Sequence, residues 1–187
     1  METELTLLQA VKEGDRQAMR RLYERYVGYA MGTSLRYIPS RDDAQDVVQD
    51  AFVRVFTSIA SFTYRGEGSL RSWISSIVVH RALDVLRDRG RLLIAGDEQL
   101  AAEQPEADTP VEQLPPQRLT QLIAQLPDGY RTVLNLHVFE GLSHKDIARH
   151  LGIKPDTSAS QYLRAKRMLA RLIREELNIE NRNFERK

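Results

Sequence analysis

The sequence predicts an all-α chain of two small helical domains joined by a flexible acidic linker. Three observations predict it: successive amphipathic stretches whose apolar residues recur with a period near 3.6, an acidic proline-rich segment at 92–117, and a return of short helical stretches that closes in a helix-turn-helix pattern. A length of 187 residues suits two small domains rather than one large one.

The first stretch opens at Asp15, whose carboxylate can cap a helix. Met19, Leu22, Tyr23, Tyr26, Val27 and Ala30 then form one stripe, and Pro39 ends it. Ser40, with Asp43 three residues on, resembles a capping box. It opens a second helix with Ala44, Val47, Val48, Ala51, Phe52, Val55, Phe56 and Ile59 on its buried face. The glycine-containing loop 61–69 leads to a third helix, in which Trp73, Ile74, Ile77, Val78, Ala82, Val85 and Leu86 are expected to point inward together. Three such helices can close a small bundle over residues 1–91.

Residues 92–117 carry four of the chain's seven prolines and six acids, with no Lys or Arg, and so read as a linker that buries little. Over residues 118–187, periodicity resumes with Leu119, Leu122, Ile123 and Leu126, stops at Pro127, and restarts at Val133, Leu134, Leu136 and Val138 until Gly141. Four short helices are expected here. Ser143 can cap the third of them, Ile147 and Leu151 face inward, and Ala148 is small where a second helix must cross. Gly152 supplies a left-handed residue at the turn, Pro155 fits a helix N-terminus, and Asp156 or Thr157 can cap the last helix, expected to run to about Arg174.

Such a pair of helices lays the second in the major groove with its early residues at base edges. Ser158, Ala159, Ser160, Gln161, Leu163 and Arg164 are the candidate readers, and Lys145, Arg149, Lys154, Lys166 and Arg167 the candidate phosphate contacts. Charge agrees: the formal net charge of +1 hides seven bases against two acids in 144–171, which favours a polyanionic partner for this end. In the first domain, Phe62, Tyr64, Arg65, Gly66, Glu67 and Ser69 of the loop combine aromatic, glycine and cationic groups suited to unstacked bases. Ser76, His80, Leu83, Asp84 and Arg87 are expected on the polar face of the third helix, opposite Trp73 and Ile77.

Other classes find less support. Cysteine is absent, no apolar run approaches ~18 residues, and no basic stretch precedes an apolar core near the start, so a cytoplasmic protein without membrane insertion is expected. No cysteine nucleophile, glycine-rich phosphate loop or paired carboxylates in a catalytic setting points to an enzyme, and no cofactor is implied. The acids Asp42, Asp43, Asp46 and Asp50 lie along a continuous helix, which lacks the turns and carbonyl ligands of a divalent-ion loop, and His137, His144 and His150 do not share one helical face. No metal site is expected.

The segments LYERY, DDAQDVVQDAFVRVF, FTYRGEGSLRSWISSIVVHRALDVLRDRGR, LPDGYRTVLNLHVFEGLSHKDIARHLGI and TSASQYLRAKRML, in that order, resemble an extracytoplasmic-function (group IV) sigma factor of the sigma-70 family from about residue 5 to residue 175. The resemblance implies a region 2 domain at 1–91, a linker at 92–117 and a region 4 domain at 118–187. It implies a non-enzymatic subunit that binds core RNA polymerase, at the largest-subunit clamp and the flap, and reads promoter DNA both melted and duplex. An anti-sigma factor is a further partner known for the family.

Residue by residue, the resemblance places clamp binding on Asp46, Gln49, Asp50, Val53 and Arg54, and minus-ten melting and recognition on Phe62, Tyr64, Arg65, Gly66, Glu67, Ser69, Ser76, His80, Asp84 and Arg87. Extrusion of a base costs a few kcal/mol, which a protein pocket offsets. His80 stands where the family usually has Asn, implying an altered base preference. Minus-thirty-five recognition falls to Lys145, Arg149, Thr157, Ser158, Ala159, Ser160, Gln161, Leu163, Arg164, Lys166 and Arg167. After Thr157 the usual pattern is Val, a basic residue, Ser and Arg, where this chain has Ser158, Ala159, Ser160 and Gln161 and so lacks both basic positions, whereas Arg164 and Ala165 match. Arg suits guanine and Gln adenine, so this departure implies a shifted preference. A conventional helix-turn-helix regulator would leave DDAQDVVQDAF and RSWISSIVVHRALD unexplained, and such regulators usually dimerise on paired half-sites.

Overall fold

The computed structural model describes residues 2–90 and 114–184, with side chains as far as 178. Most of the linker expected at 92–117 therefore lies outside the described residues. The chain divides into two compact units between Asp88 and Arg89. Among the described residues there are eight α-helices and no strands, and none of these helices is long and apolar enough to cross a membrane.

The first unit begins with a helix that the periodicity argument did not anticipate. It is α1, Glu4–Lys12, capped by the Thr3 hydroxyl, which accepts from the Thr6 amide at 3.1 Å. Then come α2 (Arg16–Tyr37), α3 (Arg41–Ser58), a short 3₁₀ turn (Ile59–Ser61) and α4 (Ser69–Asp88). The expected caps form: Asp15 accepts from the amides of Gln17 and Ala18 at 2.7 and 3.2 Å, and Ser40 from that of Asp43 at 3.4 Å. Leu7, Leu8 and Val11 seat α1 on the bundle, while α2, α3 and α4 pack against one another through Leu22, Val47, Phe52, Ile74 and Val78. The buried Ser34 hydroxyl donates to the Ala44 carbonyl at 3.1 Å and so ties the end of α2 to the start of α3.

The inward face of α4 differs from the one expected. Leu70, Ile74, Val78, Val79, Ala82, Leu83 and Leu86 are buried, whereas Trp73, Ile77 and Val85 are only partly covered. Leu83 therefore belongs to the core and not to the polar face. The helix is turned by about one position relative to the expected stripe, because Leu70 and Leu83, near its two ends, pull its axis of burial away from Trp73.

The second unit holds α5 (Pro116–Ala124), α6 (Asp128–Val138), α7 (His144–Leu151) and α8 (Pro155–Phe184). Three of the four are short as expected, but α8 runs ten residues past Arg174. Leu122, Ile123 and Leu126 meet Leu134, Ala165 and Ile173 in the core, and Leu114, just ahead of α5, packs into it with Leu122 and Ile173. Ser143 caps α7, accepting from the Asp146 amide at 3.2 Å, and Gly152 ends it at φ +68, the left-handed region glycine tolerates. Because α8 starts at Pro155, Asp156 and Thr157 lie in its first turn and do not cap it.

Candidate nucleic-acid interface

Loop 62–69 is held from several sides. Its Gly68 amide donates to Glu4 Oε2 at 2.8 Å, and Tyr26 Oη donates to Glu4 Oε1 at 2.8 Å. Burial, together with the Glu4 carboxylate, pushes the Tyr26 phenol far above its ordinary range, so it remains a donor. At the loop's other end Lys12 Nζ donates to the Phe62 carbonyl at 2.6 Å. Within it, the Arg65 amide donates to Ser69 Oγ at 3.2 Å, Tyr64 Oη to Glu67 at 3.4 Å, and Arg25 pairs with Glu67 at 3.5 Å. Gly66 at φ +116 makes the sharp bend that a side chain would strain.

Phe62 and Trp73 lie ring against ring at 4.7 Å, beside an open recess of about 600 Å³ whose walls include Arg65, Ser69 and Ser72. Trp73, expected in the core, thus joins the loop as a surface aromatic. Ser76 and His80 are exposed further along α4. His80 Nδ1–H donates to the Ser76 carbonyl at 2.6 Å, since a carbonyl can only accept, and this fixes the ring. Asp84 pairs with Arg87 at 2.9 Å.

On α3, Asp46, Gln49, Asp50, Val53 and Arg54 are all exposed, Val53 to 65%. Phe52 is buried beneath them, edge-on to Tyr23 at 4.8 Å. Asp50 pairs with Arg81 of α4 at 2.7 Å. Asp50, Val53 and Arg54 face Ile77, His80 and Asp84 across one groove of about 650 Å³. The residues expected for protein binding and some of those expected for strand reading therefore share a surface.

In the second unit Lys145 and Arg149 are exposed on α7, and Arg149 also pairs with Asp146 at 3.2 Å. Asp146 is held below the usual carboxylate range chiefly by the hydrogen bond from Ser143. On α8, Ala159, Ser160 and Leu163 point outward, while Thr157, Arg164, Lys166 and Arg167 are partly exposed. Two expected readers do not reach the surface: Ser158 is 0% and Gln161 2% exposed. They fall with Ala165 at helical spacing on the stripe that α8 presents to the core, so a base edge cannot approach them in this packing.

Ser158 Oγ instead hydrogen-bonds His144 Nδ1 at 3.0 Å. His144 stacks on His137 at 4.6 Å, with Tyr162 edge-on to His137 at 4.5 Å. Burial and then the neighbouring imidazole push the pKa of His144 below its ordinary value, which favours its own neutral form.

Glu4, Lys12 and Arg81 escaped the sequence argument. A signal for the first was present: Glu4, Leu7, Leu8 and Val11 fall on one helical stripe, and a carboxylate on an apolar stripe requires an internal donor.

Two family models match the chain: Sigma-70 region 2 over residues 22–92 and Sigma-70 region 4 over residues 116–169. Among curated relatives, the ECF RNA polymerase sigma-E factor of Haemophilus influenzae is 33% identical, covering 89% of this chain and 93% of its own. The RNA polymerase sigma-H factor of Pseudomonas aeruginosa is 31% identical over 88% and 91%, and the sigma-E factor of Escherichia coli 30% over 88% and 91%. A solved sigma factor RpoE from Bartonella quintana, in complex with the anti-sigma factor NepR, shares the fold at TM-score 0.50 and 21% identity, over 83% of this chain and 96% of its own. Two sigma-70 regions in order and relatives matched over nearly their full length place the chain in one family: it belongs to the extracytoplasmic-function RNA polymerase sigma factors, subunits that bind core polymerase and direct transcription initiation at particular promoters.

Proposed function

We propose that the two units divide promoter recognition between them, residues 1–91 binding core polymerase and the melted minus-ten strand, residues 118–187 reading the minus-thirty-five duplex, and residues 92–117 tethering them. The observation that carries this is the groove in which Asp50, Val53 and Arg54 of α3 lie across from His80 and Asp84 of α4. A surface that brings a protein-binding helix beside a strand-reading helix couples arrival of the polymerase to opening of the DNA. Asp46, Gln49, Asp50, Val53 and Arg54 then meet the clamp. Loop 62–69 and the α4 residues Ser76, His80, Asp84 and Arg87 meet unpaired bases, with Phe62 and Trp73 as a stacking platform of the kind that single strands use.

Duplex reading is assigned to the outward side of α8: Ala159, Ser160, Leu163 and Arg164, flanked by phosphate contacts from Lys145, Arg149, Lys166 and Arg167. Ser158 and Gln161 act from within, by setting how α8 lies on α7. The protein works without chemistry of its own, in the cytoplasm, and an anti-sigma protein covering the α3 surface would silence it.

Two measurements test this. The full chain should co-elute with core polymerase on a sizing column, and a chain that never forms the binary complex would refute the assignment of α3. In the holoenzyme, Arg164→Ala should weaken binding to promoters with the native upstream element by about 1–3 kcal/mol, with little change when that element is scrambled. Equal weakening on every sequence would make Arg164 a phosphate contact instead of a reader.

A further inference from the structure

Taken with the proposed role of loop 62–69 in strand capture, on which this inference rests, the geometry points to α1 as the brace that sets the loop in its capturing shape, with Glu4 and Lys12 as positioning residues. A loop that must receive an extruded base gains by being ordered beforehand, since backbone fixed at the moment of binding costs conformational entropy that is then lost from affinity. Up to Ser69, where α4 begins, the loop is short, contains two glycines at positive φ, and crosses the surface without a strand or helix of its own. Its internal hydrogen bonds from main-chain amides, from Arg65 to Ser69 Oγ and from Ser69 to the Gly66 carbonyl, join only residues 65–69, so the placement of its two ends falls to neighbours.

Both ends of the loop are tied to the same nine-residue helix. Glu4, at the first turn of α1, is 1% exposed and uses each carboxylate oxygen once: Oε1 for the Tyr26 hydroxyl and Oε2 for the Gly68 amide, both at 2.8 Å. Lys12, at the last turn, donates to the Phe62 carbonyl at 2.6 Å. Glu4 and Lys12 are eight residues apart, about 12 Å along a helix axis, so α1 works as a ruler between the two anchor points. Charge-assisted hydrogen bonds to backbone groups are the stronger kind, and here they hold main chain while leaving the Arg65 and Phe62 side chains facing the recess. Glu4 does not touch that recess itself, so its action on DNA runs through the loop.

The test uses the full chain and exploits Trp73, the chain's single tryptophan, whose ring lies against that of Phe62 at a tilt, beside the loop. Three variants are compared: Glu4→Gln, Lys12→Met, and Tyr26→Phe, the last removing a bond to Glu4 without touching the loop. Two readouts are taken: acrylamide quenching of Trp73 in the free protein, and capture of an unpaired minus-ten oligonucleotide by holoenzyme assembled on core polymerase.

Glu4→Gln and Lys12→Met should each change Trp73 quenching and reduce strand capture by roughly tenfold, the order expected for one charge-assisted hydrogen bond. Their core affinity should stay within about twofold, because the α3 surface is untouched. Tyr26→Phe should leave capture near wild type. Unchanged Trp73 quenching and capture in Glu4→Gln and Lys12→Met would overturn the brace. A loss in Tyr26→Phe equal to theirs would also overturn it, reducing Glu4 to a support of the core. If Trp73 responds in both variants but the unaltered holoenzyme captures no strand, the brace stands as loop geometry and the assignment of the loop to strand capture fails.

Discussion

Replacing Arg131 with Ala is expected to destabilise the second unit by about 3 kcal/mol, the scale for removing one partner of a buried charged network. Arg131 is 2% exposed. Its Nη1 donates to the carbonyls of Leu126 at 2.7 Å and Ala124 at 3.3 Å, and its Nη2 pairs with the Asp128 carboxylate. Those carbonyls lie where α5 ends and Pro127 interrupts the chain, so no following helical amide can reach them. One guanidinium thus closes the end of α5 and fixes the start of α6. Removal of the side chain leaves buried acceptors and a carboxylate without their donor. Hydrogen exchange followed by mass spectrometry should show lost protection in peptides from α5 to α8 in Arg131→Ala, with Arg131→Lys in between because it keeps the charge but loses the fork. Wild-type protection in Arg131→Ala would show that the network contributes nothing net.

Charge reversal at Asp50 has the largest expected effect on function. The Asp50–Arg81 pair is substantially exposed on both sides, so its loss should change stability by under about 1 kcal/mol. Affinity for core polymerase should nevertheless fall by at least tenfold in Asp50→Lys, because the new cation lies at the centre of the α3 surface and beside Arg81. Competition against a labelled wild-type chain for a limited amount of core polymerase measures this. Binding of the free chain to upstream duplex should be unaffected, and an equal loss of both activities would contradict the division of labour.

The architecture was legible because its punctuation is local. Asp15, Ser40 and Ser143 each accept from an amide two or three residues on, and Gly152 takes the left-handed conformation that no neighbour need enforce. What the sequence concealed depends on partners distant along the chain. Helix α1 is short, and although its stripe marks Glu4 as a carboxylate in need of an internal donor, the donors themselves, Tyr26 and the Gly68 amide, are 22 and 64 residues away.

The phase of α4 is hidden for a related reason: Trp73 is as apolar as the core residues around it, and it stays partly covered, against Phe62, because Leu70, Val79 and Leu83 take the buried face. On α8, the motif places Ser158 and Gln161 at base edges because they are early residues of the second helix, yet both lie on its buried stripe, where the stacked His137–His144 pair supplies a polar floor beneath Ser158. On the proposed reading surface, the outward residues Ala159, Ser160 and Leu163 carry few hydrogen-bonding groups, so the proposal expects recognition there to lean on shape and apolar contact.

As a sigma factor, this chain should give core RNA polymerase its choice of promoter. Purified chain and core polymerase should be combined with a fragmented library of genomic promoters, and the 5′ ends of the transcripts sequenced. The expected result is a small set of start sites absent with core enzyme alone, sharing two elements at a fixed spacing and lost together in Asp50→Lys. Transcripts identical to those of core enzyme alone, in a mixture where the binary complex does not form, would contradict it.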